Sequence, residues 1–110
     1  MTQNIYLHKG DVGTPIVLTL LSHKTNAAID VSAAIEISFL FEKPSGDTMQ
    51  KAGSFYTDGS DGMIKYVTVE GDIDEDGKWE MEGYVVIALT KKFFTRKTTL
   101  IVYPVIEVPV

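Results

Sequence analysis

An acidic segment that reads GDIDEDG contains the residues whose spacing best suits metal chemistry. Asp72, Asp74 and Asp76 alternate along it, and a glycine follows the third aspartate. Calcium loops share this arrangement, because alternate carboxylates surround one cation while glycine permits a sharp turn. The match ends at Gly83, which stands at the twelfth position, where a bidentate glutamate normally closes the shell. The sequence therefore favours a solvated turn and no cofactor. Calcium remains the alternative, with residues 58–61 as a second acidic loop that could complete the shell.

Residue types for hydrolytic chemistry are present without the spacing that such chemistry needs. His8, Asp11 and Ser22 could supply a base, an orienting carboxylate and a nucleophile, but no Gly-x-Ser-x-Gly motif accompanies them. Glu80 and Glu82 lie on one face of a predicted strand, which suits a solubilising surface better than an acid–base pair. We therefore expect no enzymatic activity.

A basic cluster surrounds two adjacent phenylalanines near the C-terminal end. Its members are Lys91, Lys92, Phe93, Phe94, Arg96 and Lys97. Basic and aromatic residues together can bind single-stranded nucleic acid, but the whole chain has a formal net charge of −5. The cluster is better interpreted as a solvated turn, and nucleic acid is not an expected partner.

Composition indicates one globular domain over residues 1–110. Hydrophobic residues make up 45% of the chain, enough for one core, and no apolar run approaches the length of a membrane span. The chain has no cysteine, so disulfides cannot contribute to its stability. The N-terminus lacks the pattern of a secretory signal, and we therefore expect synthesis in a cytoplasm and no membrane association.

The elements that must position these residues are predicted to be strands. Trp79, Met81, Val85 and Ile87 alternate with polar side chains, as in a strand with one buried face. Residues 34–43 show the second clearest alternation, with Ile35, Ile37, Phe39 and Phe41 on the buried side. The other predicted strands cover residues 5–8, 16–21, 48–57 (as an edge strand), 63–69 and 98–103, while residues 89–94 are predicted to turn. About seven antiparallel strands without a helical period predict an all-β sandwich.

The C-terminal residues 104–110 are unusually aliphatic for a terminus. One interpretation is an edge strand that completes a sheet. The other is an extended arm that adds to a neighbouring copy or partner, with Ile106, Val108 and Val110 as its contacts.

The start of the Trp79 strand also matches a pattern of immunoglobulin-type sandwiches. In those folds an acidic residue, a small residue, an aromatic residue and a core residue alternate at the start of the central strand F. Glu75, Gly77, Trp79 and Met81 occupy these places, with Met81 where antibody domains have a disulfide cysteine. This pattern predicts packing rather than chemistry.

Several fragments together resemble an immunoglobulin-like domain common in tailed bacteriophages. The fragments are residues 7–15, 29–32, 41–47, 61–66 and 77–79. Together they are similar to the N-terminal domain of the phage baseplate upper protein family. The matching residues belong to turns and core, and none is catalytic. Baseplate upper proteins continue into coiled-coil and further domains, whereas this sequence ends after the sandwich, which favours a small accessory subunit.

The resemblance implies a non-enzymatic virion protein of the tail, baseplate, neck or head. It would be made in the cytoplasm of the bacterial host and would dock in multiple copies on other virion proteins. The docking candidates are edge strands, the phenylalanines Phe93 and Phe94, and the C-terminal residues Ile106, Val108 and Val110. The alternative is a module that binds host-surface glycans by stacking on Tyr56, Trp79 or Phe93.

Overall fold

The computed structural model describes residues 4–22, 24–88 and 91–105. The strands in these ranges are β1 (Asn4–His8), β2 (Pro15–Thr19), β3 (Glu36–Glu42), β4 (Thr48–Ala52), β5 (Ser54–Phe55), β6 (Met63–Val67), β7 (Gly77–Ala88), β8 (Lys91–Phe94) and β9 (Thr98–Tyr103). Within the same ranges no helix is long and apolar enough to cross a membrane.

The strands form two sheets that pack as a sandwich. The larger sheet has the order β1-β9-β7-β3-β4, and β8 pairs with the end of β7 beyond β9. The smaller sheet has the order β2-β6-β5. All pairs are antiparallel except β1 with β9, which is parallel. The predicted all-β sandwich is confirmed, with nine described strands where the sequence indicated about seven, and with one parallel pair where it indicated antiparallel strands.

This order of strands follows the pattern of an immunoglobulin-type sandwich. In the smaller sheet β2, β6 and β5 take the places of strands B, E and D, and in the larger sheet β4, β3, β7 and β9 take those of C′, C, F and G. The strand that contains Trp79 therefore lies at the centre of the larger sheet, with β3 on one side and β8 and β9 on the other.

Two predictions of where strands and turns lie need correction. Residues 48–57 are not one edge strand, because the chain changes sheets between β4 and β5 at Gly53, where a Cβ atom would lie 2.7 Å from Cε1 of Phe39. Residues 91–94 are not a turn, because β8 pairs antiparallel with β7. Alternation along the sequence marks neither feature, because KKFF does not alternate and the change of sheets depends on the space beside Phe39.

The core lies between the sheets and follows the predicted alternation of β7. Trp79, Met81 and Val85 are almost fully buried, and the indole of Trp79 packs edge-on against Phe41 with ring centroids 6.3 Å apart. Ile35 is an exception, since it was predicted to be buried but is 68% exposed. It precedes β3 and lies outside the strand whose pleat would turn it inward.

Candidate functional site

The acidic turn before β7 connects neighbouring strands through the buried side chain of Asp72. The Asp72 carboxylate accepts hydrogen bonds from the Tyr66 hydroxyl and, at 2.9 Å, from the backbone N–H of Val69. Lys51 of β4 completes the set with its Nζ 3.2 Å from Oδ1. Asp72 thus connects β4 and β6, which belong to different sheets.

These contacts change the acidity of both oxygen acids. Burial alone would raise the pKa of Asp72, but the bonds from Tyr66, Val69 and Lys51 outweigh it and lower the pKa below its ordinary value. Burial and the adjacent Asp72 carboxylate together raise the pKa of Tyr66 well above its ordinary value. The tyrosine therefore stays a proton donor to an ionised aspartate across the neutral range.

The other two aspartates of the calcium alternative have different surroundings. Asp74 forms a bidentate ion pair with Lys43 of the β3–β4 turn, at 2.9 and 3.1 Å, and this pair raises the pKa of Lys43. Asp76 is exposed. In the described part of the chain no three His, Cys, Asp or Glu side chains are grouped so that they could hold a metal ion. The geometry thus gives the calcium alternative no support.

The acidic turn also connects the β3–β4 turn to the start of β7. Glu75 accepts hydrogen bonds from the hydroxyl and the backbone N–H of Ser45, at 2.9 and 3.2 Å. Trp79 donates its indole N–H to the backbone carbonyl of Glu75 at 3.0 Å. Immunoglobulin-type sandwiches contain a tyrosine at this place whose hydroxyl also bonds back to the upstream backbone. Trp79 is therefore a core and corner residue, as the alternation of its strand predicted, and its buried ring offers no platform for a glycan.

The residues of the hypothetical triad serve local turns instead. Asp11 accepts a hydrogen bond from the backbone N–H of His8 at 2.9 Å, and the imidazole of His8 lies against Tyr103. Ser22 Oγ accepts a bond from the backbone N–H of Lys24 at 3.2 Å. The structure therefore does not bring the three side chains together.

The docking candidates of the C-terminal region differ in exposure. Phe94 is 50% exposed and packs on Tyr84 with ring centroids 5.0 Å apart, whereas Phe93 is half-buried against the core. Lys91 and Lys92 are exposed, and so is Tyr56 of the glycan alternative. Ile106, Val108 and Val110 lie outside the described residues.

Sequence reasoning missed the aromatic pairs and the groove on the outer face of the larger sheet, meaning the side away from the core. At one corner Tyr6 and Tyr103 are exposed, with nearly parallel rings 6.1 Å apart. Toward the other end of β7, Tyr84 packs on Phe94 of β8. The side chains that form these pairs come from different strands, and only the pairing of β1, β7, β8 and β9 brings them together.

Over β3, β4 and β7 the outer face contains a groove with a volume of about 320 Å³. Its lining includes Leu40, Glu42, Gln50, Glu80, Glu82 and Lys97. The register of β3 and β7 places Glu42 directly opposite Glu80 and Leu40 opposite Glu82. The face that the sequence suggested was only solubilising is thus a concave surface with an acidic end.

Neither a scan of the sequence against protein-family models nor a search of curated proteins gives a match. The functional conclusion consequently depends on the resemblance of the fragments, the fold and the surface of the sandwich.

Proposed function

We propose that this protein is a non-enzymatic structural subunit of a tailed-bacteriophage virion. In this proposal a single immunoglobulin-like sandwich docks on a larger tail, baseplate, neck or head assembly, in multiple copies and through protein–protein contacts. The observation that carries the docking role is the outer face of the larger sheet, where a groove over β3, β4 and β7 accompanies two aromatic pairs on the same face. Interface cores are enriched in such aromatic side chains.

The positions of the resembling fragments support the phage part of the proposal. The fragment 41–47 contains the β3–β4 turn, where Gly46 has a φ of 96°, and the fragment 61–66 contains Gly62, with a φ of 73°. A Cβ atom at Gly62 would lie 2.8 Å from the carbonyl oxygen of Ile29, in a third fragment. These matching residues are therefore ones that the fold requires, as a shared domain would predict.

Mass spectrometry of purified particles tests the proposed function directly. Particles of the phage that encodes the chain should contain the polypeptide in a fixed number of copies, retained through a density gradient. A polypeptide found only in the lysate, at a level unrelated to particle number, would contradict the proposal.

Binding to host-surface glycans is the second candidate, and the Tyr6–Tyr103 pair favours it. Two exposed, nearly parallel rings offer a platform on which sugar rings can stack. A glycan array should then show hits that Tyr6→Ala removes while Tyr56→Ala retains them. An array without hits would leave protein docking as the remaining role.

A further inference from the structure

We propose that the groove on the outer face of the larger sheet binds an extended segment of another virion protein, with a Lys or Arg side chain at the end formed by Glu42 and Glu80. The inference rests on the proposed function and names the surface and the partner chemistry that it uses. It concerns a side of the sandwich that sequence reasoning assigned only to solubility.

The first argument is the unfavourable charge arrangement at one end of the groove. Glu42 and Glu80 are directly opposite each other on adjacent strands, and Glu82 follows on the same face of β7. Like charges in such positions destabilise a sheet. Among the described residues the ion pairs are Lys43–Asp74 and Lys51–Asp72, so neither Glu42 nor Glu80 has a cation of its own there. A cation from a partner would remove the repulsion.

The second argument is that the face becomes apolar away from this end. Leu40, opposite Glu82, is half-buried in the groove, and Tyr84 packs on Phe94 in the next row of the sheet. The rows of Glu80 and Tyr84 are four residues apart on β7, which is about 13 Å at the rise of a strand. A basic residue and an apolar residue four positions apart in an extended segment would therefore reach both the Glu42–Glu80 end of the groove and the Tyr84–Phe94 pair beyond it.

Charge also decides between this occupant and two others. A second copy in a twofold dimer would place the same patch against itself, and Glu42, Glu80 and Glu82 would then face their own copies. Lys97 at the rim supplies a single opposing charge. A divalent cation has no set of three suitable ligands in the described part of the protein. A basic side chain needs only the two opposed carboxylates.

Peptide titration of the isotope-labelled full-length chain, followed by NMR, tests the inference. The probe is an amidated, acetylated peptide of sequence GRTSTFG, in which arginine and phenylalanine are four positions apart. The chemical-shift changes that the peptide causes in the protein should map to β3, β4, β7 and β8. The affinity should fall about tenfold when the arginine of the peptide is replaced by glutamate. Binding should also weaken with added salt, because exposed charges are screened.

Two double variants that carry the same net charge distinguish binding by the groove carboxylates from attraction by the overall charge of the protein. Glu42→Gln with Glu80→Gln should lose about tenfold in affinity for GRTSTFG, and its melting temperature should not fall, since a repulsive pair has been removed. Glu70→Gln with Asp76→Asn removes the same number of charges at exposed positions outside the groove and should bind like the parent. Equal loss in both variants would overturn the inference, because it would reduce binding to overall charge.

Other results overturn it in favour of a different occupant. Shifts at the same residues on addition of calcium chloride alone would assign a cation. Concentration-dependent sedimentation without peptide, abolished by the Glu42 and Glu80 changes, would assign a second copy. If the polypeptide is in the particles and GRTSTFG does not bind, the groove inference fails and the proposed function stands. If it is absent from the particles, the proposed function fails whatever the peptide does.

Discussion

The indole of Trp79 connects the acidic turn to the core. Its ring is fully buried against Phe41, and its N–H reaches back to the carbonyl oxygen of Glu75. This one side chain thereby anchors β7 in the core and fixes the direction from which the acidic turn enters the strand. The ammonium group of Lys43, which follows β3, lies 5.7 Å from the ring centroid, so the acidic turn, the β3–β4 turn and β7 meet at this residue.

Substitution of Trp79 should separate the contribution of the hydrogen bond from that of packing. Trp79→Phe removes the indole N–H and some volume, and should lower the free energy of unfolding by about 1–3 kcal/mol. Trp79→Tyr restores a donor at the corner and should recover part of this loss. Urea unfolding followed by circular dichroism measures both. Equal stability of the two variants would show that the corner bond contributes nothing.

The buried carboxylate of Asp72 predicts a loss of stability in acid. Its folded pKa lies below its ordinary value of 3.8, so its contribution is complete above that value and disappears as the pH falls through the lower folded pKa. Asp72→Asn should cost about 1–3 kcal/mol at neutral pH, because Lys51 and Tyr66 lose their ionised partner.

The acid dependence should therefore change together with the stability. In urea unfolding from neutral pH to about pH 3, the Asp72→Asn variant should lose less stability than the parent chain, so that the two curves converge. Asp76→Asn is the matched control at an exposed position of the same turn and should follow the parent. Parallel curves for parent and Asp72→Asn would contradict the assignment.

At the scale of the elements, alternation in the local sequence predicts a strand wherever one face is buried and the other is exposed to solvent. This condition holds for β3 and β7, and the alternation of both was evident. It fails for β8, whose KKFF sequence does not alternate and which pairs with the part of β7 that continues beyond β9. The groove was also beyond local sequence, since Glu42 faces Glu80 only through the register of two strands separated by more than 30 residues.

The change of sheets at Gly53 depends on the absence of a side chain. A Cβ atom there would lie 2.7 Å from Phe39 Cε1 and 3.0 Å from the backbone oxygen of Lys65. Gly53→Ala should therefore force the buried ring to move and should cost about 1–3 kcal/mol in thermal or urea unfolding. Ser54→Ala, at an exposed neighbouring position, should stay within about 0.5 kcal/mol of the parent. A neutral Gly53→Ala variant would show that the ring has room to yield.

For the molecule as a whole, the proposed docking predicts a difference between the two sheets in a particle. Lysines on the outer face of the larger sheet should react less than lysines on the outer face of the smaller sheet. Lys78 and Lys97 lie on or beside the outer face of the larger sheet, while Lys65 of β6 belongs to the smaller sheet, where its neighbours Ile64 and Tyr66 point into the core. Acylation of lysines in free protein and in intact particles, quantified by mass spectrometry, compares the faces within one chain. Docking through the groove should protect Lys78 and Lys97 and leave Lys65 reactive. Protection of Lys65 alone would place the interface on the smaller sheet.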